Sequence, residues 1–228
     1  SGSRQSLIIS VVMVGCIHNT SNKQIKGVTS TFCNLPIQYP NPNYITKNKE
    51  GKQMKLRKNK FKAAIRRGDF QIGLWSGLRS TLVAEMLTQV AAFDWTVIDM
   101  EHSPNELGDV LTQLQVAQQG HAEPMVRVPW NEPVIVKRVL DIGAQTILFP
   151  MIQNADEAAQ AVAATRYPQN DGIRGVMSLA RMNNYGATPD YYLKAHQEIC
   201  VVVQCETVEA VQNIPEICKV KGVDGIFV

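Results

Sequence analysis

Trp95-Thr-Val-Ile-Asp-Met-Glu-His-Ser-Pro-Asn105 is the stretch whose reading decides the fold. Apolar, β-branched residues lead into Asp99, Glu101 and His102, and Ser103, Pro104 and Glu106 then read as N-cap, first helical position and capping-box acid. A strand that empties three ionisable groups onto a loop, with a helix behind it, is how an α/β enzyme presents chemistry at strand C-termini.

Working outward, the same strand–helix alternation repeats. Gln71–Trp75 reads as a short strand, followed by a helix from Ser80 with Leu82, Met86, Leu87 and Val90 on one face. Thr96–Asp99 is the second strand; its helix places Leu107, Val110, Leu111 and Leu114 at i, i+3, i+4 and i+7. Pro124–Val128 is followed by a helix from Asn131 that stops at Gly143, and Thr146–Met151 by a helix opened by Asn154 and Glu157. A longer connection carries Gly172, Gly175 and Gly186 and a helix starting near Thr188-Pro189. Ile199–Cys205 is the fifth strand, its helix runs from Thr207 to about Val220, and Gly225–Val228 begins a sixth.

Continuous apolar strands in series imply a parallel sheet covered on both faces. Neither a G-x-G-x-x-G after the first strand nor a G-x-x-x-x-G-K-[ST] occurs, which disfavours the nucleotide-binding doubly wound folds. The pattern predicts a (β/α)8 TIM barrel, incomplete here: five βα units plus the start of strand six, against the ~250 residues a complete barrel takes.

Charge divides the chain. Residues 1–67 carry 13 Lys/Arg against the single acid Glu50, and residues 68–228 carry 10 against 19. The folded part is acidic, which argues against a nucleic-acid footprint. A hydrophobic content of 45% excludes wholesale disorder and a polytopic membrane protein. Five cysteines with no C-x-x-C pair read as reduced thiols in a cytoplasmic protein. Residues 1–53 read as an N-terminal extension, disordered or foreign to the domain, and 54–228 as the barrel domain. Leu7–Val14 before Gly15-Cys16 only loosely resembles a lipoprotein signal. Lys47–Arg67 reads as a solvated basic arm rather than a membrane anchor.

Four residues fall at the ends of three strands: His102 past the second, Arg127 on the third, and Gln204 and Glu206 on the fifth. His102 is the natural proton-transfer group near neutral pH, or a histidine that packs or caps a helix. Arg127 offers a charged fork to a carboxylate or enolate, or pairs with a strand-end acid. Glu206 offers hard oxygens to Mg²⁺ or Mn²⁺, or stabilises the helix that Thr207 caps. Asp99 and Glu101 orient His102, ligate through water, or cap. His18, His121 and His196 read as surface residues.

At this point the chain resembles the HpcH/HpaI family of class II pyruvate aldolases. The resemblance rests on Gln71-Ile-Gly-Leu-Trp75, Ile98-Asp-Met-Glu-His-Ser-Pro-Asn105, Val126-Arg-Val-Pro-Trp-Asn131, Leu140-Asp-Ile-Gly-Ala-Gln-Thr146, Ile173-Arg-Gly175, Val203-Gln-Cys-Glu-Thr207 and Gly222-Val-Asp-Gly-Ile-Phe-Val228. It implies cleavage of a 4-hydroxy-2-oxo acid, such as 4-hydroxy-2-oxoheptanedioate, to pyruvate and an aldehyde, with a divalent metal (Mg²⁺, Mn²⁺ or Co²⁺) and no Schiff-base lysine. In that light His102 is the catalytic base, Arg127 stabilises the enolate, Gln204 binds pyruvate, Glu206 is a metal ligand and Asp141 raises the basicity of the histidine. The Trp130-Asn131 pair favours the heptanedioate branch over sugar-acid aldolases of the 2-dehydro-3-deoxyglucarate or rhamnonate type.

Two departures accompany the resemblance. Met100 stands where the family commonly has glycine. The family also continues past Val228 into Gly-Pro-Ala-Asp, whose Asp is a second metal ligand, so residues 1–228 alone are expected to be inactive or unstable. A non-catalytic barrel fragment is the competing reading. Asp141 ends a helix, on the far side of the barrel from His102, so its family role implies a homo-oligomer, a hexamer by resemblance, in which it reaches a neighbour's histidine. Read without the family, it is a plain turn acid before Gly143.

Overall fold

Each apolar run becomes a strand of one curved sheet. The computed structural model describes residues 54–228 and, in the backbone alone, Met13–Gly15. Its elements are β1 (Met13–Gly15), α1 (Lys60–Arg67), β2 (Gly73–Ser76), α2 (Thr81–Gln89), β3 (Trp95–Asp99), α3 (Leu107–Ala117), β4 (Glu123–Arg127), α4 (Pro133–Asp141), β5 (Thr146–Phe149), α5 (Ala155–Thr165), α6 (Tyr191–Glu198), β6 (Cys200–Gln204), α7 (Val208–Gln212), α8 (Ile214–Ile217) and β7 (Gly225–Phe227). Strands β2 to β7 are parallel and follow chain order, and β1 adds to β7 antiparallel, giving β1-β7-β6-β5-β4-β3-β2. The described residues therefore form a parallel α/β half-barrel. Met13–Gly15 joins the sheet, and the rest of the 1–53 extension lies outside the described residues.

Period-2 alternation divides each strand between two cores. Trp95, Val97, Met125, Leu148, Cys200, Val202 and Phe227 form the inner core, with Phe61 packed against them. Ile98, Val126, Ile147, Phe149, Val201, Val203 and Ile226 face outward and pack with Val110, Leu114, Val136, Val139, Leu140 and Ala158 of the helices. Inside, Trp75 of β2 meets Phe227 of β7 edge-on, ring centroids 5.3 Å apart, so the curvature brings the first and last parallel strands together. Gly73 is required beneath the indole of Trp95, which a Cβ there would overlap.

Helix α1 stoppers the N-terminal mouth. Its cap, Asn59, accepts from Lys62 N–H at 2.8 Å and donates to Thr146 Oγ1 at 2.9 Å and to the Glu198 carbonyl at 3.1 Å. Phe61 meets Trp95 at 6.4 Å, and Lys62 pairs with Asp224 at 2.9 Å and donates to the Ile199 carbonyl. The expected solvated arm is thus wrong at Lys62, which is buried because Asp224 neutralises it.

Three local expectations are also corrected. Helix α3 starts at Leu107, capped by Glu106 and Asp109, because Ser103 and Asn105 spend their side chains on the Asp99 carbonyl. The α2 stripe of Leu82, Met86 and Val90 is exposed, and Ala84 and Thr88 are the buried face. The single helix expected after Thr207 breaks into α7 and α8 at Asn213, next to Pro215. Cys200 and Cys205 are buried free thiols.

Candidate active site

The inward stripe of each strand, continued to its C-terminal end, delivers the polar groups. On β3 the residues after Trp95 and Val97 are Asp99 and, past the strand, Glu101; on β4 Arg127 follows Met125; on β6 Gln204 follows Cys200 and Val202, with Glu206 next in parity. The β3–β4 register sets Asp99 directly beside Arg127.

The Arg127 guanidinium is the hub. Nε donates to Asp99 Oδ1 at 2.7 Å and Nη2 to Oδ2 at 2.8 Å, a bidentate pair between buried side chains. Nη1 lies 2.8 Å from Glu101 Oε2, and the Trp75 ring stacks under the guanidinium, 4.5 Å from centroid to Cζ. Glu101 Oε1 stands 3.6 Å from His102 Nε2, and the His102 side chain is 73% exposed at the rim. Burial raises the Asp99 carboxyl but is outweighed by the Arg127 hydrogen bond and charge and by the backbone N–H groups of Glu101 and His102, so it titrates below its usual 3.8. The Glu101 carboxyl moves the other way. Burial and, secondarily, the charges of Glu206 and Asp99 lift it above the usual 4.5 despite Arg127 and His102.

On the β6 side, Gln204 is buried and its Oε1 has no hydrogen-bond partner, while its backbone carbonyl accepts from Ile152 N–H at 3.0 Å. Glu206 is exposed, and its Oε2 accepts from Met151 N–H at 3.0 Å. Met151 adopts a left-handed conformation, φ 54°, to aim that N–H.

The strand-end residues expected from the sequence thus share one rim: Arg127 with Asp99, Glu101 and His102, and, close enough to bear on Glu101, Glu206. Arg127 pairs with a strand-end acid, as one of its two readings expects. Asp99 does not orient His102; its carboxylate is consumed by Arg127. Asp141 is apart from this group, at the C-terminus of α4, where Arg174 Nη2 donates to its Oδ1 at 2.8 Å. Arg174 is wholly buried and stacks on Tyr167 at 4.7 Å. Trp75 and Arg174 went unassigned in the sequence, although both lie inside motifs that carry the resemblance. Among the described residues His121 is exposed and bonded to the Ala91 carbonyl, and His196 is half-buried.

No group of three or more His, Cys, Asp or Glu side chains among the described residues is placed to hold a metal ion. The donors still suit a hard divalent cation, which magnesium sites hold by one or two carboxylates with water and substrate oxygens completing the shell. Glu206 has one carboxylate oxygen uncommitted, and the unpartnered Gln204 Oε1 adds a buried acceptor. Asp99 and Glu101 share one guanidinium while Glu206 bears on Glu101, an excess of negative charge that a divalent cation would offset. Among the described residues no helix is long and apolar enough to cross a membrane.

Comparison with known proteins fits this geometry. A family model described as HpcH/HpaI aldolase/citrate lyase matches residues 71–228. A 4-hydroxy-2-oxo-heptane-1,7-dioate aldolase of Escherichia coli (strain ATCC 8739) is 54% identical over 171 residues, covering 75% of this chain and 64% of the relative. Among solved structures, an HpcH/HpaI aldolase/citrate lyase family protein from Burkholderia cenocepacia J2315 aligns with a TM-score of 0.70 and 42% identity, over 72% of this chain and 66% of that one. An HpcH/HpaI aldolase from Desulfitobacterium hafniense DCB-2 aligns with a TM-score of 0.65 and 27% identity, over 72% and 64%. The chain thus spans a little under two thirds of the length of the curated relatives it matches.

Proposed function

The chain belongs to the HpcH/HpaI aldolase/citrate lyase family, and on that premise we propose that the whole protein is a metal-dependent class II aldolase. Its substrate would be a 4-hydroxy-2-oxo acid of the heptanedioate type, cleaved to pyruvate and an aldehyde. The observation that carries the reading is the buried Asp99–Arg127 pair at the strand ends, with Nη1 on Glu101 and Glu101 beside His102. Asp99 fixes the guanidinium in one orientation, so its remaining N–H groups are preorganised for an oxyanion. Arg127 binds the carboxylate of the 2-oxo acid and takes up charge that develops on the enolate oxygen. Gln204 meets the ligand with its amide, whose buried Oε1 is otherwise unpartnered. His102, exposed at the rim where it can approach the substrate, removes the proton of the 4-hydroxyl group as the C3–C4 bond breaks.

Glu206 would hold the divalent ion, Mg²⁺, Mn²⁺ or Co²⁺, which when bound polarises the 2-oxo group as a Lewis acid. The complete protein would close the half-barrel into a (β/α)8 barrel and work in the cytoplasm on small molecules. The exposed Trp130 side chain and the Asn131 amide, which donates to the Glu157 carbonyl at 3.0 Å, support the heptanedioate branch through the motif they form. The test is pyruvate release from 4-hydroxy-2-oxoheptanedioate by the complete protein with added Mn²⁺. EDTA and H102A are expected to abolish it; release untouched by either would sink the reading.

Asp141 fits the scheme only across a subunit boundary. It lies at the barrel's other end from His102, with one carboxylate oxygen held by buried Arg174 and the side chain 22% exposed. In the proposed homo-oligomer this acid reaches the His102 of a neighbouring subunit and raises its basicity. D141N and H102A proteins, each inactive alone, are expected to regain part of the activity when mixed and reassembled. Mixtures that stay at the level of the separate variants would rule the contact out.

A further inference from the structure

We propose that Glu101 is the exchangeable counter-ion of Arg127, released when the carboxylate of a 2-oxo acid takes its place, and that the freed Glu101 then turns to His102. The proposal rests on the reading of Arg127 as the anion-binding group. The two acids on Arg127 are held very differently. Asp99 occupies the Nε/Nη2 edge of the guanidinium with two hydrogen bonds, accepts from Glu101 N–H at 3.0 Å, and has its backbone carbonyl tied down by Ser103 and, at 2.8 Å, by Asn105. Glu101 meets Nη1 alone, through Oε2, and that oxygen makes no hydrogen bond of good geometry.

A planar guanidinium has a second edge, Nη1/Nη2, able to take a carboxylate with two parallel hydrogen bonds. An incoming 2-oxo acid would therefore replace a single ion contact with a bidentate one, leaving Asp99 undisturbed. Glu101 has somewhere to go: its Oε1 is already 3.6 Å from His102 Nε2. The repulsion of Glu206 and the cost of burial both weaken its hold on Arg127. Glu101 would thus couple ligand arrival at Arg127 to the setting of the imidazole, which makes it a positioning residue.

The test compares wild-type protein with E101Q, metal-free and at low ionic strength, by pyruvate titration in a calorimeter. With the competing anion gone, E101Q is expected to bind pyruvate about tenfold more tightly; equal or weaker binding overturns the proposal. A second arm follows the Arg127 Nε–H resonance by NMR during titration with acetate. Its midpoint is expected to fall about tenfold in E101Q, while the resonance of the free variant stays at the wild-type position because Asp99 keeps the guanidinium in place. An unchanged midpoint, or loss of the resonance without ligand, also overturns it. Should neither metal-free protein bind pyruvate, the 2-oxo acid reading is tested by repeating the titration with Mn²⁺, where absence of binding sinks it, and the acetate arm by itself decides whether Glu101 yields Arg127 to a carboxylate.

Discussion

Replacing Arg127 with methionine is expected to lower the unfolding free energy by about 3–5 kcal/mol, because it strands a buried carboxylate without its counter-ion. Asp99 is 3% exposed and has no other cation near it in the described residues. Urea unfolding at pH 7 measures the loss, and R127M/D99N should recover most of it, since removing both charges removes the penalty. A double variant as unstable as R127M would show that packing on Trp75, not charge, is what Arg127 supplies. The effect should also depend on pH in a fixed direction. The folded-state Asp99 carboxyl titrates below its ordinary 3.8, so the pair stabilises above that value and its contribution fades as pH falls through the lower folded value. The cost of R127M should therefore shrink toward zero in acid. Glu101 works the other way: its raised carboxyl opposes folding as pH rises past the ordinary 4.5, so its ionisation trims wild-type stability above that point.

The second large effect concerns the opposite mouth. F61A is expected to cost about 3–5 kcal/mol, the range for emptying a large aromatic site in a close-packed core. Phe61 is 1% exposed, and its neighbours Trp95, Val97, Met125 and Cys200 sit on strands that cannot collapse inward while they are bonded to each other. Denaturant unfolding measures the loss, and F61L should retain more than half of the difference. A cost below 1 kcal/mol would mean that α1 merely covers the barrel mouth rather than completing its inner core.

The strand series and the rim were legible in the sequence because the strands are short apolar runs, and on β3, β4 and β6 the last inward residue is polar. Asp99, Arg127, Gln204 and Glu206 all follow from that parity. What the residues of β3 could not show was which acid would take which partner: Asp99 was open to His102 and to Arg127, and only the β3–β4 register, a non-local property, chose Arg127. The start of α3 was misplaced for a related reason. Ser103 and Asn105 have good capping side chains, but a carbonyl at a turning strand end competes for them. On α2 periodicity groups Leu82, Met86 and Val90 on one face without saying what lies there; the side turned to the barrel is Ala84 and Thr88. Helix α1 hid its role most completely. Its lysines and arginines look like a solvated arm, and the partners that bury Lys62 lie on β6 and just before β7, at the other end of the chain.

Helix α1 leaves the ribosome before the barrel strands β2 to β7, yet Asn59 awaits Glu198, 139 residues later, and Arg66 awaits Asp224, 158 residues later. At 5–20 residues per second the delay is on the order of ten seconds. For that interval Phe61 and the open inner face of the growing sheet are exposed together, an apolar target for chaperones and for neighbouring nascent chains. Docking of α1 is then the step that ends the vulnerable period, and it cannot be completed until Glu198 and Asp224 have been made.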